Sequence, residues 1–336
     1  MAKNKKKYTV GVDIGGTKIL ACLLDKNFKI LSEFKIKTKP EKGERFFLKA
    51  LTDAIRHVLR EAKVSPQEVI GIGLGCPGFI DPETGIVAAS PNISFLKKYP
   101  LAKKVSRLLG IPVALGNDVQ TGLYGEHQFG SAKGYQNVIG IFMGTGIGGA
   151  LILNGQPYRG TSGSAGEVGH VQMDPQGPAC GCGHRGCLEA IAGRLAISSE
   201  AAIAVARQQA PHLAQKAGTD IRDIKSGALA RAIKAGDDAL EVLIRSKARR
   251  VGVLMASLVT VLNPDMIVLG GGVVEAMPSL ILRKAEKTMR SLALETSSRH
   301  VKVAVAKLGD HSIVMGAAKR ADDLFGEKRH KERRHG

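Results

Sequence analysis

Tryptophan is absent from this 336-residue chain, and all aromatic residues together make up only 4% of it. A surface that stacks the successive bases of single-stranded nucleic acid is therefore poorly supplied. No apolar run reaches the roughly 18 residues that a membrane-spanning helix needs. The basic first residues do not open a secretory leader, because Asp13 and the pair Gly15-Gly16 interrupt the apolar stretch behind them. Five cysteines are too few for a disulfide scaffold, and 41 glycines and 13 prolines without a short period exclude a collagen-like chain. What is present is a 44% hydrophobic fraction, enough for a sizeable core, over a length that favours two domains. A cytoplasmic protein without membrane association is expected.

The charge balance is strongly positive: 49 Lys and Arg against 30 Asp and Glu, a formal +19. Part of the excess lies at the ends, in Lys3, Lys5, Lys6 and Lys7 and again in Lys328, Arg329, Lys331, Arg333 and Arg334. These ends read as solvated tails. The remaining charge suits a phosphorylated ligand as well as it suits nucleic acid, and does not choose between them.

Two segments share an unusual plan. From Tyr8 an apolar run meets Gly15-Gly16-Thr17-Lys18 and continues as a second apolar run; over 138–155 the same happens around Gly144-Thr145-Gly146. Each predicts strand, tight turn, strand, and the repetition predicts two related domains. Between them, 46–62 and 101–109 have helical spacing, while 69–75 and 112–115 read as strands. Segment 160–189 is rich in Gly and Cys with little apolar periodicity, and helical stretches follow across 190–262. Asn263-Pro264-Asp265 stops the last of these before a strand at 266–269, then Gly270-Gly271-Gly272; 313–325 looks like a closing helix. Strands alternating with helices define an α/β protein. The division expected is a small domain over 1–120, completed by helix 313–326, a large domain over 121–312, and a basic tail at 327–336.

Glycine turns expose backbone N–H groups to close approach by phosphate. Gly15–Lys18 lacks the P-loop spacing and is followed by a strand, so it is not that motif. Asp13, at the end of its strand, is either a turn residue or a ligand for hydrated Mg²⁺ near such phosphates. Asn117-Asp118 follows a buried-looking strand, where α/β proteins present side chains to ligands; there a carboxylate can accept the proton of a sugar hydroxyl. Cys180, Cys182 and Cys187 with His170 upstream offer three thiolates and an imidazole, a closed tetrahedral set for zinc. His184 competes for the fourth position on spacing alone. Cys22 and Cys76 sit in apolar surroundings and read as inert core residues.

Taken together and in order, DIGGTK at 13–18, PG at 77–78, ND at 117–118, GTGIGG at 144–149, EVGH at 167–170, CGCGHRGCLE at 180–189 and LGGGV at 269–273 resemble the ROK family (repressor, open reading frame, kinase). The likeness runs from about Tyr8 to Gly326 and is greatest to the family's ATP-dependent glucokinases. It implies the actin/hexokinase type of fold, two ribonuclease-H-like α/β domains with the active site in the cleft between them, and ATP-dependent phosphorylation of a hexose, glucose to glucose 6-phosphate. It also implies roles. Asp118 would be the base facing the sugar 6-hydroxyl; Asn117, Glu167, His170 and Glu189 would hold other hydroxyls, with Gly78 and Asn92 nearby. His170, Cys180, Cys182 and Cys187 would bind zinc, leaving His184 out. Asp13 would hold Mg²⁺, Gly15, Gly16, Thr17 and Lys18 with Gly144, Thr145 and Gly146 would embrace the phosphates, and Gly271 and Gly272 would lie beside the adenosine.

The family commonly has Gly-Trp a little beyond the Pro91-Asn92 position, where Phe95-Leu96 stands here, and Glu-Asn-Asp before an Ala-rich stretch, where this chain has Gly116-Asn117-Asp118-Val119-Gln120. Both departures fall near the sugar and leave mannose, fructose or an N-acetylhexosamine as alternatives to glucose. Polyphosphate is the rival donor. The family's repressors carry a helix-turn-helix before the DIGGTK segment, but only twelve residues precede Asp13 here, so no specific nucleic-acid partner is expected. A non-catalytic sugar sensor is the reading of a different class, against which Asp118 and both phosphate turns stand. A homo-oligomer, dimer or tetramer, completes the expectation.

Overall fold

The computed structural model describes residues 6–326; most of the two basic ends lies outside the described residues. Two units emerge, Met1–Lys133 with Arg159–Ser164 and Asp310–Gly336, and Gly134–Tyr158 with Ala165–Gly309.

In unit 1, β1 (Tyr8–Ile14) turns at Gly15–Thr17 into antiparallel β2 (Lys18–Leu24), and β3 (Ile30–Lys37) adds to its edge. Then come α1 (Gly43–Glu61), β4 (Val69–Cys76), the small antiparallel sheet of β5 (Phe79–Asp81), β6 (Ile86–Ala89) and β7 (Lys97–Tyr99), α2 (Leu101–Leu109), β8 (Val113–Asn117) and α3 (Asp118–Phe129). The main sheet has the order β3-β2-β1-β4-β8, with β1, β4 and β8 parallel. Phe47, Leu51, Ile55 and Val58 recur at helical spacing along α1, and all four are fully buried in a core with Val10, Val12, Ile72 and Leu74. That amphipathic stripe fixes α1 against one face of the sheet.

The closing helix (Ser312–Phe325) uses another device. A Cβ on Gly11 would stand 1.9 Å from the Val314 carbonyl oxygen, and one on Gly73 would stand 1.8 Å from that of Ala317. Helix backbone thus lies directly on the strands, at a separation any side chain would prevent. Gly73→Ala should cost at least about 1–3 kcal/mol of stability through overpacking, read as a lower urea midpoint; an unchanged midpoint would show that the helix retreats freely.

Unit 2 repeats the plan. β9 (Val138–Met143) turns at Gly144–Gly146 into antiparallel β10 (Ile147–Leu153), and β11 (Gln156–Tyr158) pairs with β10. After the Cys-rich segment come α4 (Leu188–Ala192), α5 (Arg194–Ala206), α6 (Pro211–Ala217), α7 (Ser226–Ala235), α8 (Asp238–Leu262), β12 (Met266–Gly270), α9 (Gly272–Ala276), α10 (Pro278–Leu292), α11 (Glu295–Ser298) and β13 (Lys302–Val305). Sheet order β11-β10-β9-β12-β13, with β9, β12 and β13 parallel, is the topology of unit 1 again. The repeat read from the two glycine hairpins is present.

The division differs from the expected one at 120. Helix α3 stays with unit 1, because Gly125 lets it approach the closing helix so closely that a Cβ there would be 2.1 Å from the Ser312 carbonyl oxygen. The boundary falls after Lys133 instead. No helix among the described residues is long and apolar enough to cross a membrane.

Candidate active site

Asp118 opens α3, directly beyond the last residue of β8. Asn117 is the N-cap: its Oδ1 accepts from the Gln120 N–H at 3.0 Å, and its Nδ2 donates to the Gly78 carbonyl oxygen at 3.1 Å. The amide of Asn117 is therefore largely committed to holding the β8–α3 junction against the Gly78 loop. Gly78 itself has φ 117°, and a Cβ there would lie 2.2 Å from the Ala89 carbonyl oxygen. Asp118 Oδ1 accepts from the Val119 N–H at 2.9 Å.

Across the same sheet, Asp13 pairs with Gly75, and Gly75 with Gly116, so Asp13 and Asp118 approach one another at the carboxyl ends of parallel strands. Asp13 is 8% exposed. Burial, then the charges of Asp118 and Asp310, push its carboxyl up to about 7, against the pull of Lys18 and Lys35. Two acids held together in a poorly hydrated place favour a cation with oxygen ligands, so the donor set fits Mg²⁺.

The turn after Asp13 is closed by the Gly15 N–H donating to the Lys18 carbonyl oxygen at 2.8 Å, and by the Thr38 hydroxyl donating to the Gly15 carbonyl oxygen at 2.6 Å. Lys18 Nζ donates to Asp310 at 2.9 Å, and Lys35 Nζ to the same carboxylate oxygen at 3.2 Å. A Cβ on Gly16 would meet that of Asn92 at 3.3 Å. Unit 1 thus brings Asp13, Gly15–Lys18 and Asn92 together, and Gly78, Asn117 and Asp118 together. Thr38, Lys35 and Asp310 were missed in the sequence, since no motif marks a threonine or an aspartate that acts through a turn far away in the chain.

In unit 2 the second turn is held in another way. The Gly144 N–H donates to the Gly146 carbonyl oxygen at 2.9 Å, and the Ile147 N–H donates to Glu189 Oε2 at 3.0 Å. A Cβ on Gly146 would lie 1.9 Å from that carboxylate oxygen. Glu189 ties the glycine turn to the Cys-rich segment, a contact that its expected sugar-binding role did not include. Arg194, also missed, donates from Nη2 to the Thr145 hydroxyl at 3.1 Å. Gly271, at φ 85°, packs on the same turn: a Cβ there would be 2.6 Å from the Met143 carbonyl oxygen, and Gly272 follows as the first residue of α9.

The Cys-rich segment has almost no regular structure beyond a single 3₁₀ turn, Val168–His170, and two isolated bridges, Gln172 to Cys187 and Ala179 to Arg185. Yet one donor atom from each of His170, Cys180, Cys182 and Cys187 falls within 4.8 Å of the other three. His170 Nδ1 is 3.7 Å from Cys180 Sγ, and Cys182 Sγ is 3.7 Å from Cys187 Sγ. His184 lies outside the quartet, its Nδ1 3.5 Å from Cys182 Sγ. Burial pushes the Cys187 thiol up to about 12 and raises Cys180, whereas hydrogen bonds from the backbone and ring of His184 bring Cys182 down to about 6. Three sulfurs and an imidazole converging in a loop with no core of its own fit a tetrahedral zinc set. Glu167, exposed beside them, has its carboxyl raised by desolvation and by Glu189, with His170 opposing.

Duplicated five-stranded sheets, each opening with an antiparallel glycine hairpin, make this an actin/hexokinase-like α/β fold. The chain belongs to the ROK family, whose profile it matches over residues 9–323. It is 34% identical over 318 residues to a glucokinase of Streptomyces coelicolor, covering 92% of this chain and 96% of that one. The crystal structure of a ROK family glucokinase from Streptomyces griseus in complex with glucose and AMPPNP matches with a TM-score of 0.82 at 32% identity, covering 94% of this chain and 99% of that one. Similarity also extends to the xylose repressor of Caldicellulosiruptor bescii, 28% identical over 307 residues, 91% of this chain but 76% of the repressor.

Proposed function

We propose that this protein is an ATP-dependent hexose kinase that phosphorylates the 6-hydroxyl of glucose. The observation that carries the reading is the β8–α3 junction, where Asn117 locks Asp118 in place beside the buried Asp13 and in the same unit as the Gly15–Lys18 turn. The relatives named as glucokinases, and the glucose and AMPPNP bound to one of them, support the choice of sugar and donor.

In this reading Asp118 accepts the proton of the 6-hydroxyl as its oxygen forms a bond to the γ-phosphorus and the bond from that phosphorus to the leaving nucleoside diphosphate breaks. Phosphoryl transfer has a loose transition state, so alignment and charge neutralisation provide most of the acceleration. Backbone N–H groups of Gly15–Lys18 and Gly144–Gly146 hold phosphate oxygens, and Lys18, steadied by Asp310, adds a positive charge. Asp13 would hold Mg²⁺, which would supply charge neutralisation on the phosphates. Gly271 and Gly272 leave room beside the adenosine. Glu167 and His170 hold sugar hydroxyls, the latter through Nε2 when Nδ1 serves zinc, and Asn92, Asn117 and Glu189 act around them. His170, Cys180, Cys182 and Cys187 would hold zinc, which would fix the loop that carries Glu167 and Glu189 and, with four protein ligands, take no part in the transfer.

A coupled assay across glucose, mannose, fructose and N-acetylhexosamines, with ATP and polyphosphate in parallel, tests the reading. Glucose with ATP is expected to give the highest kcat/KM. Absence of phosphorylation of every sugar with either donor would overturn it.

Asp13 gives a second test with a sign of its own. Its native pKa is raised, so its contribution to stability is complete below about pH 4 and is lost as pH rises through about 7. Asp13→Asn removes that loss. With magnesium omitted, the variant should match the wild type in thermal midpoint near pH 4 and exceed it near pH 8. Turnover should collapse while calorimetric glucose affinity holds; if affinity collapses as well, Asp13 is structural and the metal lies elsewhere.

A further inference from the structure

Phosphoryl transfer makes no use of Cys22, Glu33 and His311, yet unit 1 brings them together. Cys22 on β2 and Glu33 on β3 are directly opposite in register, so their side chains leave the same face of the sheet. The closing helix covers that face, and the fully buried Cys22 packs there with Leu20, Leu24, Val314 and Ala318. His311, the N-cap of that helix, bonds through Nε2 to Glu33 Oε2 at 2.8 Å. A sulfur, a carboxylate oxygen and a ring nitrogen from the three residues all lie within 4.8 Å of one another.

An exposed His–Glu pair contributes little stability on its own, and such a pair gives no account of a thiol beneath it. Thiol, imidazole and carboxylate are together the ligand set of a borderline-soft divalent ion, and three protein ligands leave a fourth position for water. The sulfur is fixed in the seam between sheet and helix, while the side chains of Glu33 and His311 are 53% and 41% exposed and free to close onto it.

We propose that Cys22, Glu33 and His311 form a second metal site, separate from the His170–Cys180–Cys182–Cys187 quartet, which takes Zn²⁺. On binding, the Cys22 S–H bond breaks, its proton passes to solvent and a sulfur–metal bond forms. The cation also enters between His311 Nε2 and Glu33 Oε2; the proton of that hydrogen bond passes to solvent and both atoms bind the metal. No oxidation state changes. The thiol read from the sequence as an inert core residue is buried as expected and also supplies a ligand.

Cobalt is the probe, because a thiolate bound to Co²⁺ gives a charge-transfer absorption that zinc does not. Full-length protein holding about one zinc per chain, in the His170–Cys180–Cys182–Cys187 quartet, and freed of further metal should take up about one equivalent of Co²⁺ with that absorption, without releasing the quartet's zinc. Cys22→Ala should abolish the absorption. His311→Asn and Glu33→Gln, both at exposed positions, should each weaken uptake at least about tenfold and keep the test open if Cys22→Ala does not fold. Absence of further uptake at millimolar cobalt would overturn the proposal. So would uptake that displaces zinc one for one, or an absorption unchanged in Cys22→Ala or His311→Asn.

Discussion

Asp118→Asn is expected to lower kcat by about 10²–10⁴-fold, the range that a positioned base contributes, while the affinity for sugar stays within several-fold. The substitution keeps the shape of the side chain and its place at the start of α3, and the Oδ1 of an asparagine can still accept from the Val119 N–H that Asp118 binds. The capacity to take a proton is lost, together with the negative charge that faces Asp13. The split between kcat and affinity separates this from a structural effect, because disturbing the Asn117–Gly78 lock would move both. A variant with near-normal kcat would remove Asp118 from the reaction.

Loss of zinc is expected to have the second large effect. Cys182 is the exposed member of the quartet, so Cys182→Ala removes a ligand without opening a cavity in the core. Purified wild type should hold about one zinc per chain in this quartet, and the variant should have lost it. The Glu189 carboxylate accepts the Ile147 N–H beside the Gly144–Gly146 turn, so slack in the Cys-rich loop should reach the nucleotide as well as the sugar. KM for both should rise or activity should vanish. The thermal midpoint should fall by about 2–4 °C for each kcal/mol lost. Wild-type protein free of zinc yet fully active would refute this assignment.

The hairpins, the repeat and the quartet of three cysteines and a histidine were legible because each rests on local pattern: two apolar runs around a glycine turn, or four donor residues close together in the chain. The place of α3 was not, because its allegiance is decided by Gly125 meeting the backbone of a helix nearly two hundred positions later. Glycine at such a contact looks no different in sequence from glycine in a loop. Lys18 was marked by its turn, but Asp310, which holds it, has no signal beyond being an acid. Glu189 was marked in the sequence by its place at the end of the CGCGHRGCLE run. Its bond to the Ile147 N–H depends on how an irregular loop returns to a strand, and no periodicity encodes that path. Cys22 was assigned to the core correctly from its apolar neighbours; pairing with Glu33 across the sheet needs the register, and His311 comes from the far end of the chain.

The closing helix has a consequence for how the chain is made. Unit 1 begins with β1 and is finished only by residues 310–326, so nearly all of unit 2 is synthesised in the interval. During that time the strands carrying Gly11 and Gly73 exist without the backbone that lies on them, and Leu20, Cys22 and Leu24 face no partner from Val314 or Ala318. Domains generally fold in the order of their synthesis, but here the unit begun first is completed last. Until residues 310–326 are made, any sheet that β1, β2 and β4 form leaves the apolar strip of Leu20, Cys22 and Leu24 uncovered, so that the last helix is also the cover that removes this strip from contact with other chains.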